Sequence, residues 1–161
     1  MQRHFTVTGF LVDGDRTALH WHRKNQMWLP AGGHIEPDED PVQAVVREVL
    51  EETGIEAEVV SPARTYSFAT PAQLPPPMLI LVEDIAEGPH QHIDMIYALR
   101  PRVAAARLAD EFRWVTESQL RADEALAVAS CGVDMPVPED VRTLALEAIR
   151  IVAQAGRPRA L

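Results

Sequence analysis

Residues Gly33–Ile55 read GHIEPDEDPVQAVVREVLEETGI, and the rest of the chain is organised around the helix this stretch encodes. Asp40 is a natural N-cap, Pro41 suits the first helical position, and Gln43 can reach back to complete a capping box. Gly54 supplies the left-handed residue after the last turn, and Ile55 the apolar contact beyond it. A helix is therefore expected over 41–53. Its apolar stripe is Val42, Val45, Val46, Val49 and Leu50, while Glu48, Glu51 and Glu52 fall on the opposite arc.

Like charges at i, i+3 and i+4 destabilise a helix by roughly 0.2–0.5 kcal/mol per pair. Their place in its C-terminal half also opposes the helix dipole. A bound cation would turn this repulsion into attraction. Clustered carboxylate oxygens suit Mg²⁺, with Mn²⁺ as the alternative, because these hard ions take oxygen ligands and keep room for water and phosphate. Gly32 and Gly33 let backbone approach such an ion or a phosphate closely. The competing account is a solvated, Glu-rich face, and the flanking pattern decides against it.

Outward from this segment, 5–12 (FTVTGFLV) read as a buried strand, followed by a turn at Asp13-Gly14-Asp15 and a strand near Thr17–His22. Met27–Leu29 reads as a short strand before a loop at Pro30–Gly33. Further strands are expected at Glu56–Val60, Arg64–Ala69, Met78–Glu83 and Gln91–Leu99. The Met78–Val82 run is apolar on both faces, as in a central strand. Thr70–Pro77 (TPAQLPPP) reads as a rigid loop over the sheet. Thr116–Gln119 has the form of a capping box opening a short helix. An amphipathic packing helix runs from Pro138 to Ala155, and 157–161 read as a frayed tail.

The 161 residues are expected to form one domain. The net charge of −9 leaves no basic field to hold a nucleic-acid backbone, and it requires cations to mediate contact with any polyanion. No apolar run approaches a membrane span. The single cysteine, Cys131, excludes an intramolecular disulfide, fits a cytoplasmic location, and reads as a small buried side chain.

Gly33, Glu39, Arg47, Glu48, Val49, Glu51, Glu52, Gly54 and Ile55 together match G-x5-E-x7-R-E-U-x-E-E-x-G-U, where U is aliphatic. The segment resembles the Nudix box at every specified position, a match expected by chance on the order of 10⁻⁸ per register. Trp28-Leu29-Pro30 and Phe112–Val115 are similar to flanks common in that family. The resemblance implies an α/β/α sandwich with a mixed central sheet and the box helix on one face. It also implies divalent-metal-dependent hydrolysis of a nucleoside diphosphate linked to a group X. Carried over by residue, Glu48, Glu51 and Glu52 would bind metal, with the Gly32 carbonyl as a further ligand. Arg47 would orient the carboxylates through its planar fork, and Glu39 would be a secondary ligand or a support of the loop. Glu48 is the first choice of general base, with Glu83, Asp84, Glu87, Asp94 and Glu111 as candidates outside the box. Nudix folds also serve as ligand sensors without turnover, and the intact carboxylate set favours the enzyme.

Outside the box, Arg23 and Lys24 could meet substrate phosphates or form a solvated turn. His34 could touch phosphate or support its loop. His92 and Asp94 could line the cleft or end a polar strand. His90, His92 and Asp94 alternate along one face, but with no further histidine motif beside them a second, transition-metal site is disfavoured. Trp21, Trp28, Tyr66 and Phe68 could stack on a base, although strand aromatics are more often core. Pro71, sixteen residues after Ile55, is similar in position to a proline of the family's ADP-ribose hydrolases; the tract is proline-rich just there. The expected partner is a small-molecule nucleoside diphosphate derivative. A homodimer is compatible with the sequence, which does not specify an oligomeric state.

Overall fold

The structure, a computed structural model, describes residues 2–85, 88–103 and 107–156. In chain order the first elements are β1 (Gln2–Asp13), β2 (Arg16–His22), β3 (Met27–Leu29), β4 (Ala31–His34), α1 (Pro41–Thr53) and β5 (Ala57–Val60). There follow β6 (Leu79–Ile85), β7 (His90–Pro101), β8 (Phe112–Thr116), α2 (Glu117–Arg121), β9 (Leu126–Val128), β10 (Val133–Met135) and α3 (Glu139–Ala155). Strand β1 runs parallel to β7 from Gln2↔His90 to Leu11↔Leu99. On its other edge it pairs antiparallel with β4 through Thr6–Gly9, then with β2 at Val12–Asp13. Strands β3 and β8 pair with β2, while β5 and β6 share the outer edge of β7.

Helix α1 covers one face of this mixed sheet, over Val7, Leu11, Tyr97 and Leu99; α3 covers the other, over Phe10, Val12, Ile96 and Ala98. This is the expected α/β/α sandwich. In α3 the buried residues are Val141, Ala145, Ala148, Ile149 and Ile151, so the amphipathic packing helix stands as read.

Several expectations are corrected. Residues 64–69 are not a strand: the Gln73 side chain accepts from the Tyr66 N–H at 2.7 Å and donates to the Arg64 carbonyl at 2.9 Å, taking the place of a ladder partner. Tyr66 and Phe68 are exposed and stack on each other, 5.7 Å between centroids. Trp28, by contrast, is buried and donates to the Met135 carbonyl. Strand β6 is an edge strand rather than a central one, leaving Ile80 55% and Val82 61% exposed. Residues 31–33 of the expected Pro30–Gly33 loop lie instead in β4. Leu50 is exposed and Cys131 is exposed. The tail 157–161 lies outside the described residues. Among the described residues, no helix is long and apolar enough to cross a membrane.

Candidate active site

The caps of α1 set the phase that points its carboxylates. The Asp40 side chain accepts from the Val42 and Gln43 N–H groups, both at 2.9 Å, and Gln43 Oε1 accepts from the Asp40 N–H. Gly54, at φ 74°, closes the helix with its N–H on the Leu50 carbonyl. With both ends held, Ala44, Val45 and Val49 are buried against the sheet. Glu48 and Glu52 then meet β4.

At that meeting point the Gly32 N–H donates to Glu52 Oε1 at 3.1 Å. The Glu48 carboxylate lies so close to Gly33 that a Cβ there would overlap it. Arg47 ties the cluster together. Its Nε and Nη2 donate to the two oxygens of Glu39 at 2.6 and 2.9 Å, Nη1 donates to Glu48 Oε1 at 2.7 Å and Glu51 Oε2 at 3.3 Å, and Nη2 also donates to the His34 carbonyl. Hydrogen bonds to Glu39, then Glu48, hold the guanidinium well above its ordinary pKa, and the Arg47 bond holds Glu39 below the usual carboxylate range. With both oxygens on Arg47, Glu39 has the geometry of a loop support.

Glu52 is pushed the other way. Burial raises its pKa, the Gly32 N–H opposes the shift, and the Glu48 and Glu51 charges add to it. A divalent cation fits this donor set, because the one guanidinium is shared by Glu39, Glu48 and Glu51 and leaves Glu52 with the repulsion of its neighbours uncompensated.

Glu52 and Gly32 open onto a cleft of about 480 Å³ on the α3 side of the sheet. Its wall also includes Thr8, His20, His22, Asn25, Glu83, His92, Asp94 and Asp140. Asp94 is 4% exposed, with Thr6 and Thr8 hydroxyls donating to its two oxygens at 3.0 and 2.7 Å; burial nevertheless raises its pKa. Burial likewise raises Glu83, helped by Asp94 and Asp140. Burial lowers His20, whose Nε2 lies 4.0 Å from Glu52 Oε2, and His92, beside His34, His90 and His4.

The sequence-derived residues thus divide. Glu52, Gly32, His92, Asp94 and Glu83 meet at the cleft, with Glu48, Glu51, Arg47 and Glu39 in the cluster behind it. Arg23 and Glu111 instead line a separate cavity of about 590 Å³ that holds none of the box carboxylates. Lys24 lies in the β2–β3 turn, which reaches the cleft through Asn25. His34 is exposed at the end of β4, its ring 5.0 Å from that of His92. Asp84 accepts from the Gln91 side chain at the sheet edge, and Glu87 lies outside the described residues. Sequence reasoning missed Thr8, His20, His22, Asn25 and Asp140. The signal available for Thr8 and His20 was a polar side chain inside an otherwise apolar strand.

Comparisons with known proteins bear on the family and the fold. The family profile described as NUDIX domain matches residues 2–130. A CTP pyrophosphohydrolase of Escherichia coli (strain K12) is 61% identical over 58 residues, 33% of this chain and 43% of that relative. A hydrolase of the NUDIX family from Clostridium perfringens superposes with a TM-score of 0.74 at 25% identity, covering 94% of this chain and 99% of that one. A UDP-X diphosphatase structure superposes at 0.55 with 13% identity, covering 99% and 66%, a likeness of fold alone. From the box geometry and a profile match over most of its length, the chain belongs to the NUDIX domain family.

Proposed function

We propose that this chain is a divalent-metal-dependent pyrophosphohydrolase that cleaves a nucleoside diphosphate linked to X, releasing a nucleoside monophosphate and phosphorylated X. The observation that carries the reading is the grouping of Glu48 and Glu51, both bound by Arg47, with Glu52, which the Gly32 N–H holds at the wall of an acidic cleft. Such a cleft, with Glu52, Glu83, Asp94 and Asp140 on its wall, repels a polyphosphate unless cations accompany it.

Glu48, Glu51 and Glu52 are the residues to hold Mg²⁺, or Mn²⁺ in its place. A bound ion of this kind neutralises diphosphate charge and acidifies its water. Arg47 keeps the carboxylates aimed, Gly32 fixes Glu52 through its N–H, and Gly33 leaves room for Glu48. Arg47 donates to Glu48 Oε1, which leaves Oε2 as the atom to meet the ion or to take the proton of the attacking water. His20 and His92 offer donors to the substrate on the cleft wall, where Asp94 and Glu83 exclude bare anions.

The likeness to a CTP pyrophosphohydrolase puts CTP first among test substrates, X then being phosphate. Other nucleoside triphosphates, ADP-ribose and UDP-linked compounds follow. Wild-type protein with Mg²⁺ is expected to turn over at least one of them. Glu52→Gln is expected to lose that turnover while keeping the native melting temperature. An undiminished rate in Glu52→Gln would sink the site assignment, and no turnover on the whole panel would return the chain to a ligand-sensing role.

A further inference from the structure

We infer that His4, His90 and His92, with His34 as the fourth imidazole in reach, form a second metal site, one for a borderline transition-metal ion of the zinc type. The ligating atoms of His4, His90 and His92 all lie within 4.8 Å of one another. The His34 ring stands 5.0 Å from His92 and 5.5 Å from His4. A tetrahedral ion with metal–nitrogen bonds near 2.0–2.1 Å places its ligand atoms roughly 3.3 Å apart. Closing by at most about 1.5 Å is within the reach of half-buried imidazoles turning about their side-chain bonds.

The register explains why these four meet. In the parallel β1–β7 pair, His4 is level with His92 and Gln2 with His90. His34 is opposite Thr6 on the other edge of β1. Neighbouring strands lie about 4.8 Å apart, so same-face side chains of adjacent strands converge on one point. Asp94 is not part of the set. At roughly 3.3 Å per residue it stands about 13 Å along the strand from His90, and its oxygens are taken by Thr6 and Thr8. The alternation His90-His92-Asp94 therefore supplies two ligands of one site, and the third comes from β1.

The donor set separates this site from the carboxylate cluster. Imidazole nitrogens select Zn²⁺, Co²⁺, Ni²⁺ or Cu²⁺, while Glu48, Glu51 and Glu52 suit Mg²⁺. An ion held here would pin the start of β1 to the start of β7. Through His34, whose carbonyl accepts from Arg47, it would also brace the end of β4 beside the box.

The test uses the full chain without a polyhistidine tag, stripped of metal and titrated with Co²⁺ in excess Mg²⁺. One equivalent is expected to saturate the visible bands of a four-coordinate nitrogen site, and Zn²⁺ is expected to displace it and raise the melting temperature. His4→Gln/His90→Gln should weaken Co²⁺ binding by about 100-fold or more and abolish the melting shift, whereas Glu52→Gln should keep both. If the double variant lacks a native circular dichroism spectrum, His90→Gln alone is scored by the same loss. No saturable Co²⁺ signal, unchanged binding in the histidine variants, or loss of binding in Glu52→Gln would each overturn the assignment. Because Glu52→Gln abolishes hydrolysis in one reading and spares Co²⁺ in the other, the two proposals fail separately.

Discussion

Gly33→Ala isolates the contact on which the box geometry turns. The backbone at Gly33 is not in the left-handed region, unlike Gly54, so alanine meets no conformational penalty of its own. The obstacle is the Glu48 carboxylate: an added Cβ would stand 2.8 Å from Oε2 and closer still to Oε1 and Cδ. Ordinary contact requires the carboxylate to retreat by about 1 Å, and that retreat pulls Oε1 from its 2.7 Å bond with Arg47 Nη1. Overpacking of this kind costs about 1–3 kcal/mol, and each kcal/mol lowers the melting temperature of a domain this size by roughly 2–4 °C. A misplacement of about 1 Å in reacting groups costs on the order of 10²-fold in rate. The calorimetric melting temperature and the steady-state release of nucleoside monophosphate should therefore both fall, activity far more than stability. Glu48→Asp shortens the side chain by one methylene and makes the room that alanine needs. The stability cost of Gly33→Ala should then be smaller in a Glu48→Asp background than in the wild type. Equal costs in the two backgrounds, or wild-type turnover in Gly33→Ala, would refute the steric argument.

Two further outcomes follow from buried polar groups. Thr53, fully buried, donates from its hydroxyl to the Val49 carbonyl at 2.6 Å and accepts from the Ile55 N–H at 3.2 Å. Thr53→Val keeps the shape but orphans that N–H, so chemical denaturation should show a loss of about 1–3 kcal/mol with an unchanged m-value. For Asp94, burial raises the folded-state pKa above the value near 3.9 of the unfolded chain, so the folded state binds the proton more tightly. Its favourable contribution is complete below that unfolded value and is lost as pH rises through the folded one. In melts with chelator present, Asp94→Asn should gain on the wild type as pH climbs from 4 towards neutrality; a gap that stays flat or shrinks contradicts the sign.

What could be read from the sequence follows the range of the forces involved. The capping box at Asp40 and Gln43, the Gly54 stop and the i, i+3, i+4 glutamates are local, and α1 stands where they place it. The Glu39–Arg47 pairing was also within reach, being one helix start away. Strand 64–69 failed because a side chain, Gln73, satisfied its backbone from nine residues downstream, a competition that alternation patterns do not register. The Met78–Val82 run was misplaced for a related reason. Two apolar faces argue for a central strand only if something covers both, and β6 has a neighbour on one edge alone among the described residues.

The cleft wall was the least legible part because it is assembled across strands rather than along them. Consecutive same-face residues of one strand are nearly 7 Å apart, whereas neighbours on adjacent strands are about 4.8 Å apart. A site small enough to grip an ion or a phosphate must therefore draw on several strands, whose register no single segment encodes. Thr6 and Thr8 reach Asp94 only because β1 and β7 run parallel with Thr6 level with Asp94. The same pairing brings His4 to His92. The box escapes this limit because a helix returns to the same face every three to four residues. That lets Glu48, Glu51 and Glu52 stand together within five positions, while Thr8, His20, Glu83 and Asp94 of the cleft wall lie on β1, β2, β6 and β7 and become a group only when the sheet closes.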